Sequence, residues 1–242
     1  MNYNWNWDIF WDLSPEGNGS YLDMLLQGLA TTLAVAALAW VLAFLCGSAV
    51  GILRTLPGRV APLLAACWIE LFRNVPLLVQ LFLWYFVLPE LLPAAAGTWL
   101  KQLPHASFVT AVVGIGLYMS ARIAVQLSAG IAALPAGQRA AGTALGLTPW
   151  QTYRHVLLPV AYRIILPPMT SDMLATLKNT SVALTIGLAE LTSRARSMQE
   201  FSFQVFEAYA AATAAYCVIS LLVTLAARLL ERRLRIPGFG AA

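Results

Sequence analysis

The feature that most constrains this sequence is a set of five long apolar stretches. Each has more than the roughly 20 residues that a helix needs to cross a bilayer. Only 11% of the 242 residues are charged, against about 25% in an ordinary soluble domain. The sequence therefore predicts an all-α polytopic membrane protein with about five transmembrane helices and no soluble catalytic domain. The stretches lie at about 22–53, 61–88, 106–133, 160–190 and 206–230.

The first 20 residues carry acidic and aromatic side chains. They include Asp8, Asp12 and Glu16 but no Lys or Arg, whereas a cleavable signal peptide begins with a basic region. Aromatic rings favour the membrane interface. We therefore expect residues 1–20 to form an interfacial segment outside the cytoplasm, followed by a single transmembrane domain at 21–242. The aromatic residues are Tyr3, Trp5, Trp7, Phe10 and Trp11.

The distribution of Lys and Arg predicts the orientation of the chain. With the N-terminus outside, nine cations lie in the inner loops and the C-terminal segment, and three lie outside. This placement satisfies the positive-inside rule, and the inverted one violates it. The C-terminus is therefore expected in the cytoplasm. The nine inner cations are Arg54, Arg59, Arg139, Arg154, Arg163, Arg228, Arg232, Arg233 and Arg235.

The inner loop at about 134–159 has the pattern of a helical hairpin. Its alanine-rich run at 136–145 favours helix, and Gly146 suits the left-handed end of that helix. Thr148 and Pro149 can begin a second helix. A hairpin of this kind is suited to insertion into a groove of a partner protein, although an ordinary connecting loop fits the pattern equally well.

The loop also resembles the cytoplasmic coupling motif of ATP-binding-cassette importer permeases. That motif reads Glu-Ala-Ala, three residues, Gly, nine residues, Ile, any residue, Leu-Pro, and the spacing from Gly146 to Val156 and Pro159 fits without a gap. Ala140 replaces the usual Glu and Gly142 an Ala, so we expect docking by shape rather than by an ion pair. The coupling residues that the resemblance implies are Gly137, Gln138, Ala141, Ala144, Leu145, Gly146, Val156, Leu158 and Pro159.

Further strings resemble the polar amino-acid family of these permeases. They lie at 72–82, 130–138 and 178–183, while the aromatic N-terminus and 167–173 resemble the glutamate/aspartate subgroup. The resemblance implies a type I importer permease fold in the bacterial inner membrane. It also implies two cytoplasmic ATP-binding subunits, a second permease chain that is a copy or a paralogue, and an extracytoplasmic solute-binding protein. ATP hydrolysis is then expected on the partner subunits, with no cofactor and no enzymatic activity in this chain.

Charged residues within the stretches are candidates for substrate contact, because a cation at the bilayer centre costs about 2.5–3.5 kcal/mol. Arg122 can bind a carboxylate with two parallel hydrogen bonds, or it can pair with Asp172. Val125 and Ser128 stand where the family often has charged residues. The full candidate set is Arg73, Arg122, Asp172, Lys178, Thr180 and Ser181.

The cations favour an anionic substrate such as glutamate or aspartate, with glutamine or another polar amino acid as the alternative. Two other functions are weighed against an importer permease: a channel or carrier that works without ATP, and a membrane-embedded enzyme. No internal repeat supports a carrier, and the sequence has no nucleophile–base pair, phosphate-binding loop or metal-ligand set. We expect neither a metal site nor nucleic acid as a partner.

Overall fold

The computed structural model describes residues 3–15, 17 and 19–234, and every regular element within them is helical. This agrees with the all-α class predicted from the sequence. Glu16 and Arg235, which enter the arguments on the N-terminus and on orientation, lie outside the described residues. A short 3-10 helix at Trp7–Trp11 precedes the first long helix.

Eleven α-helices follow in chain order within the described residues. Two π-helical turns, Leu83–Val87 and Tyr153–Leu157, and a 3-10 helix at Thr180–Ile186 interrupt the series. The α-helices are α1 (Tyr21–Thr55), α2 (Val60–Asn74), α3 (Leu77–Phe82), α4 (Leu88–Leu91), α5 (Ala94–Lys101), α6 (Ala106–Ala132), α7 (Ala136–Ala144), α8 (Pro149–Thr152), α9 (Leu158–Asn179), α10 (Leu191–Ser202) and α11 (Val205–Leu234).

Three helices of the described chain, α1, α6 and α11, are each long and apolar enough to cross a membrane. The bent pair formed by α2 with Leu77–Leu91 makes a fourth if the pair is one span. The break in this pair falls at Val75 and Pro76, where the missing N–H of proline disfavours a continuous helix. The predicted fourth stretch, 160–190, falls on α9 and on the 3-10 helix at Thr180–Ile186. The charged residues and prolines of α9 lower its hydropathy. That α9 crosses the membrane, which would bring the number of spans to five, therefore stays a prediction.

Two prolines, Pro167 and Pro168, lie within the predicted fourth stretch. Both prolines lie inside α9, which starts nine residues earlier at Leu158. Proline is tolerated within membrane helices because neighbouring groups can satisfy the backbone carbonyl that it leaves unpaired. The helix changes character at Asn179, where α9 gives way to the 3-10 helix.

The chain divides into two compact units. The first comprises Met1–Ala39, Pro76–Ile115 and Ala175–Leu222. Its apolar core joins residues of the N-terminal segment, the start of α1, α10 and the start of α11. Glu207 is fully buried and accepts hydrogen bonds from the Tyr3 hydroxyl and from the backbone N–H of Asn6, the latter at 2.8 Å. The N-terminal segment is thus attached to the first turn of α11.

The second unit comprises Trp40–Val75, Gly116–Leu174 and Val223–Ala242. One apolar cluster joins α6 to the π-helical turn at Tyr153–Leu157 and to α9. Another joins α1, α2 and α6, where the indole N–H of Trp68 donates to Ser120 Oγ at 3.0 Å. Gly47 lets α1 approach α6 closely, since a Cβ at this position would lie 2.7 Å from the Ser120 carbonyl oxygen.

Candidate functional site

The predicted hairpin begins with α7, which ends in a left-handed glycine. Gly146 has φ of 74°, which a residue without Cβ adopts freely. Its N–H donates to the Thr143 carbonyl, and the N–H of Leu147 donates to the Gly142 carbonyl, both at 3.0 Å. These two bonds form a Schellman motif, which satisfies the last carbonyls of the helix. The prediction that Gly146 ends α7 in the left-handed conformation is confirmed.

The second arm begins where the sequence placed it, at Thr148 and Pro149. The Gln151 N–H donates to Thr148 Oγ1 at 3.3 Å, and the Thr148 N–H donates to Gln151 Oε1 at 2.8 Å. This reciprocal pair is a capping box, and proline occupies the first helical position. The arm continues through the π-helical turn at Tyr153–Leu157 into α9.

The two arms pack against each other through a glycine and a threonine. A Cβ added to Gly142 would lie 2.9 Å from both Cγ2 and Oγ1 of Thr152, so only glycine fits without a shift. Gly142 and Thr152 are both buried. The replacement of the motif's Ala by Gly142 is therefore compensated by the bulk of Thr152, a partner that the motif does not include.

The residues at the tip of the hairpin are exposed. The side chains of Leu145 and Trp150 are 79% and 63% exposed, respectively. The small residues Ala141, Ala144 and Gly146 are also exposed. The remaining motif residues are placed differently: Gly137 and Pro159 are exposed and Gln138 is half-buried, whereas Val156 and Leu158 pack against the cluster that contains Tyr153. The motif thus divides into an exposed tip and an anchored base.

A second candidate site lies at Arg122 and Asp172, which pair as the sequence allowed. The Nε of Arg122 donates to Asp172 Oδ1 at 2.8 Å, and Gln126 Nε2 donates to Oδ2 at 2.6 Å. Asp172 is 1% exposed, whereas the Arg122 side chain is 51% exposed. The carboxylate therefore fixes the guanidinium through one edge while half of the arginine remains accessible. No sequence pattern had singled out Gln126.

The other candidate cations do not share these features. Arg73, at the last turn of α2, and Lys178, at the last turn of α9, are both exposed. Ser181 is half-buried and donates to the Lys178 carbonyl at 2.8 Å. Thr180 is fully buried and donates to the Leu177 carbonyl at 2.7 Å, so its hydroxyl serves the local helix end.

The first unit also contains a buried polar cluster that sequence reasoning missed. The Glu190 carboxylate is fully buried and accepts hydrogen bonds from the Ser193 N–H at 2.7 Å and from the Tyr216 hydroxyl at 2.9 Å. The Tyr216 hydroxyl also lies 3.1 Å from Thr192 Oγ1. Glu190 caps α10 and ties it to α11. Because the contact between Glu190 and Tyr216 joins residues 26 apart, the sequence offered no local signal for it.

Comparisons with known proteins identify relatives across nearly the whole chain. Residues 41–236 match the family described as binding-protein-dependent transport system inner membrane component. The chain is 45% identical over 241 residues to the glutamate/aspartate import permease protein GltJ of Escherichia coli (strain K12), with 98% of each chain covered. It is 32% identical over 231 residues to the glutamine transport system permease protein GlnP of the same strain, with 96% of this chain and 98% of GlnP covered.

Solved structures give the same architecture. An amino acid ABC transporter, crystallised with histidines, superposes with a TM-score of 0.74 at 30% identity, covering 88% of this chain and 95% of that one. The MetNI methionine ABC transporter in an inward-facing conformation has a TM-score of 0.70 at 20% identity, covering 89% and 98%, which concerns the fold alone.

Proposed function

Because the chain belongs to the family of binding-protein-dependent transport system inner membrane components, we propose that it is the permease subunit of an ATP-driven importer for glutamate and aspartate. The observation that carries the proposal is the near full-length similarity to a glutamate/aspartate permease. The exposed guanidinium of Arg122 supports an anionic substrate, since Arg binds carboxylates with defined geometry.

Within this function, we assign Arg122 to contact with the substrate carboxylate. Asp172 holds the guanidinium at Nε, and Gln126 in turn donates to Asp172, so that the half-exposed Arg122 side chain can meet substrate. Lys178, Arg73 and Ser181 are further candidates, which would add positive potential or polar contacts. Thr180 is the weakest candidate of the set, because its side chain is buried and its hydroxyl donates to the Leu177 carbonyl.

The hairpin of α7 and α8 would dock into the cytoplasmic ATP-binding subunit. The exposed side chains of Leu145 and Trp150 suit insertion into an apolar groove. Ala140 cannot supply the ionic contact of the motif's Glu, so shape and apolar burial would hold the contact. Val156 and Leu158 would fix the base of the hairpin to the permease.

We place the N-terminus outside and the C-terminus in the cytoplasm, from the distribution of arginine. Two ATP-binding subunits, a solute-binding protein and a second permease chain would complete the importer, since about five spans enclose too little space for a path. Mass analysis of the purified complex tests the subunit list, and the fluorescence of a C-terminal green fluorescent protein fusion tests the orientation. If the green fluorescent protein fusion does not fluoresce while a matching C-terminal alkaline phosphatase fusion is active, the C-terminus lies outside the cytoplasm and the proposed orientation is wrong.

Uptake measurements test the substrate. Cells or proteoliposomes that contain the whole complex, with and without this chain, are given labelled glutamate, aspartate, glutamine and arginine. We expect chain-dependent uptake of glutamate and aspartate that requires ATP. Chain-dependent uptake of arginine without glutamate would exclude the acidic substrate, and uptake without ATP would favour a carrier or channel instead.

Variants of Arg122 test the assigned contact. Losing a charge-assisted hydrogen bond costs about 1.5–3 kcal/mol, so Arg122→Ala should lower glutamate uptake at least about tenfold, with Arg122→Lys restoring little. The matched control is Lys101→Ala, which removes a cation from the exposed pair with Glu90. Normal uptake by Arg122→Ala at normal protein level would exclude the contact, and loss of the variant from the membrane would assign Arg122 to a structural ion pair with the buried Asp172 instead.

Glutamine is the second candidate substrate, favoured by the 32% identity to a glutamine permease. A neutral amide needs no cation at the site. Uptake of glutamine that is insensitive to Arg122→Ala, together with absent glutamate uptake, would therefore support this alternative.

A further inference from the structure

One tyrosine lies where three segments of the second unit meet. Tyr153 begins the π-helical turn after α8 and is 5% exposed. Its hydroxyl donates to the Thr55 carbonyl at 2.8 Å and lies 3.0 Å from Thr55 Oγ1. Thr55 is the last residue of α1, 98 positions away in the sequence.

The same hydroxyl also accepts a hydrogen bond from the hairpin. The Nη2 of Arg139, on α7, donates to it at 3.1 Å, and the guanidinium carbon lies 5.6 Å from the centre of the tyrosine ring. That separation is within the range of a cation–π contact. Arg139, Tyr153 and Thr55 therefore link the first arm of the hairpin, the second arm and the end of α1 through a single oxygen atom.

The surroundings make this link rigid. The Tyr153 ring packs in the apolar cluster with Leu127, Ile131 and Leu157. The Thr55 hydroxyl donates to the Ile52 carbonyl at 2.9 Å, which fixes it in the last turn of α1. Hydrogen bonds in such a protected network are worth more than exposed ones. The π-helical turn beginning at Tyr153 is a feature often found at functional sites.

We propose that the Tyr153 hydroxyl is a positioning group that transmits movement of the coupling hairpin to α1. The inference rests on the proposed function, because it assumes that the hairpin contacts the ATP-binding subunit. A displacement of α7 pulls on Arg139, and the hydroxyl passes that displacement to the backbone of Thr55. Without the hydroxyl, the hairpin can move while α1 stays in place.

The test compares two tyrosine-to-phenylalanine substitutions in the intact complex, reconstituted with its ATP-binding subunits and substrate-loaded binding protein. Tyr153→Phe keeps the buried ring and removes the hydroxyl. Tyr162→Phe is the matched control, because Tyr162 lies on α9 in the same unit with its ring against Phe44 at 5.5 Å. We expect Tyr153→Phe to lower both the stimulation of ATP hydrolysis by loaded binding protein and the substrate transported per ATP by threefold or more.

Two further measurements separate positioning from simple folding. The ATP-binding subunits should co-purify with Tyr153→Phe as they do with the wild type, and Tyr162→Phe should retain full coupling. Thr55→Val, which keeps the carbonyl but loses Oγ1, should reduce coupling less than Tyr153→Phe, and the double variant should match Tyr153→Phe alone because the two groups act through one contact.

The outcomes distinguish the inference from the function on which it rests. If the wild-type complex couples ATP hydrolysis to transport and Tyr153→Phe couples equally well, the positioning role is overturned and the permease function stands. If Tyr162→Phe causes the same loss, the effect is a general one of hydroxyl removal and the inference falls. If the wild-type complex shows no coupled transport, the proposed function and the inference fail together.

Discussion

The hairpin and the Arg122–Asp172 pair are two candidate sites built in opposite ways. The hairpin turn is held by bonds between near neighbours, such as the N–H of Leu147 to the Gly142 carbonyl and the N–H of Gln151 to Thr148 Oγ1. Arg122 and Asp172 are 50 residues apart and meet only when α6 packs against α9.

This difference decides how each site responds to substitution. The hairpin depends on backbone geometry, so the important changes are those that alter φ or the distance between its arms. The ion pair depends on burial, since removing one member of a buried pair leaves an uncompensated charge. Variants that affect one site should therefore leave the other unchanged.

The largest effect is expected from Asp172→Ala. The carboxylate is 1% exposed and accepts from both Arg122 and Gln126. The substitution removes the acceptor that Arg122 and Gln126 share, and a hydrogen bond to a charged group is worth about 1.5–3 kcal/mol. We expect a reduced protein level in the membrane and a lower melting temperature of the purified complex.

The exposed pair of Lys101 and Glu90 provides the matched control for this substitution. It has a similar contact distance of 2.6 Å, but both side chains are more than half exposed, and such pairs contribute about 0–1 kcal/mol. Glu90→Ala should leave the protein level unchanged. An equal loss of protein level in Asp172→Ala and Glu90→Ala would show that burial of the pair is not the reason for the effect.

The next effect tests the turn of the hairpin. At Gly146, φ is 74° and a Cβ would meet no atom within 4 Å, so the cost of substitution is backbone strain of about 1–2 kcal/mol plus any clash with the partner. Gly146→Trp should stay in the membrane but lose co-purification of the ATP-binding subunit. Asparagine tolerates a positive φ, so Gly146→Asn should retain co-purification of the ATP-binding subunit. Loss of co-purification with Asn as well would indicate that the groove of the partner, rather than backbone strain, is the constraint.

The same contrast explains what could be predicted from the sequence. The resemblance of the coupling motif and of several further strings indicated the family, which the comparisons confirm. Gly146 with Thr148 and Pro149 predicted a turn that the structure confirms, because those residue types act within a few positions. The pairing of Arg122 with Asp172 could only be offered as one of two possibilities. Gln126, Tyr153 and the contact of the buried Glu190 with Tyr216 were missed, since only the packing of helices distant in sequence brings these groups to their partners.

A smaller effect is expected where the arms of the hairpin touch. Gly142→Ala restores the alanine of the motif but brings Cβ within 2.9 Å of Thr152, which should separate the arms and weaken binding of the ATP-binding subunit severalfold. Thr143→Ala is the control on the same helix, because Thr143 is exposed, lies outside the coupling motif and donates its hydroxyl to the Arg139 carbonyl of its own helix. The double variant Gly142→Ala with Thr152→Ala should recover binding, and a failure to recover would contradict the interlocking of the two residues.

The smallest effect is expected at the N-terminal segment, where Tyr3 contacts residues about 200 positions away. Its hydroxyl donates to the buried Glu207, and the Asn6 N–H donates to the same carboxylate at 2.8 Å. Tyr3→Phe removes one of these bonds, worth about 1 kcal/mol, and keeps the ring that lies 4.7 Å from Phe206. Hydrogen exchange should therefore quicken a few-fold within residues 3–11, with transport unchanged.

Tyr209→Phe, on the exposed face of α11, is the control and should leave exchange as in the wild type. Unchanged exchange in Tyr3→Phe would mean that the Asn6 contact and ring packing alone attach the segment, so that this long-range contact, unlike the Arg122–Asp172 pair, contributes nothing to stability.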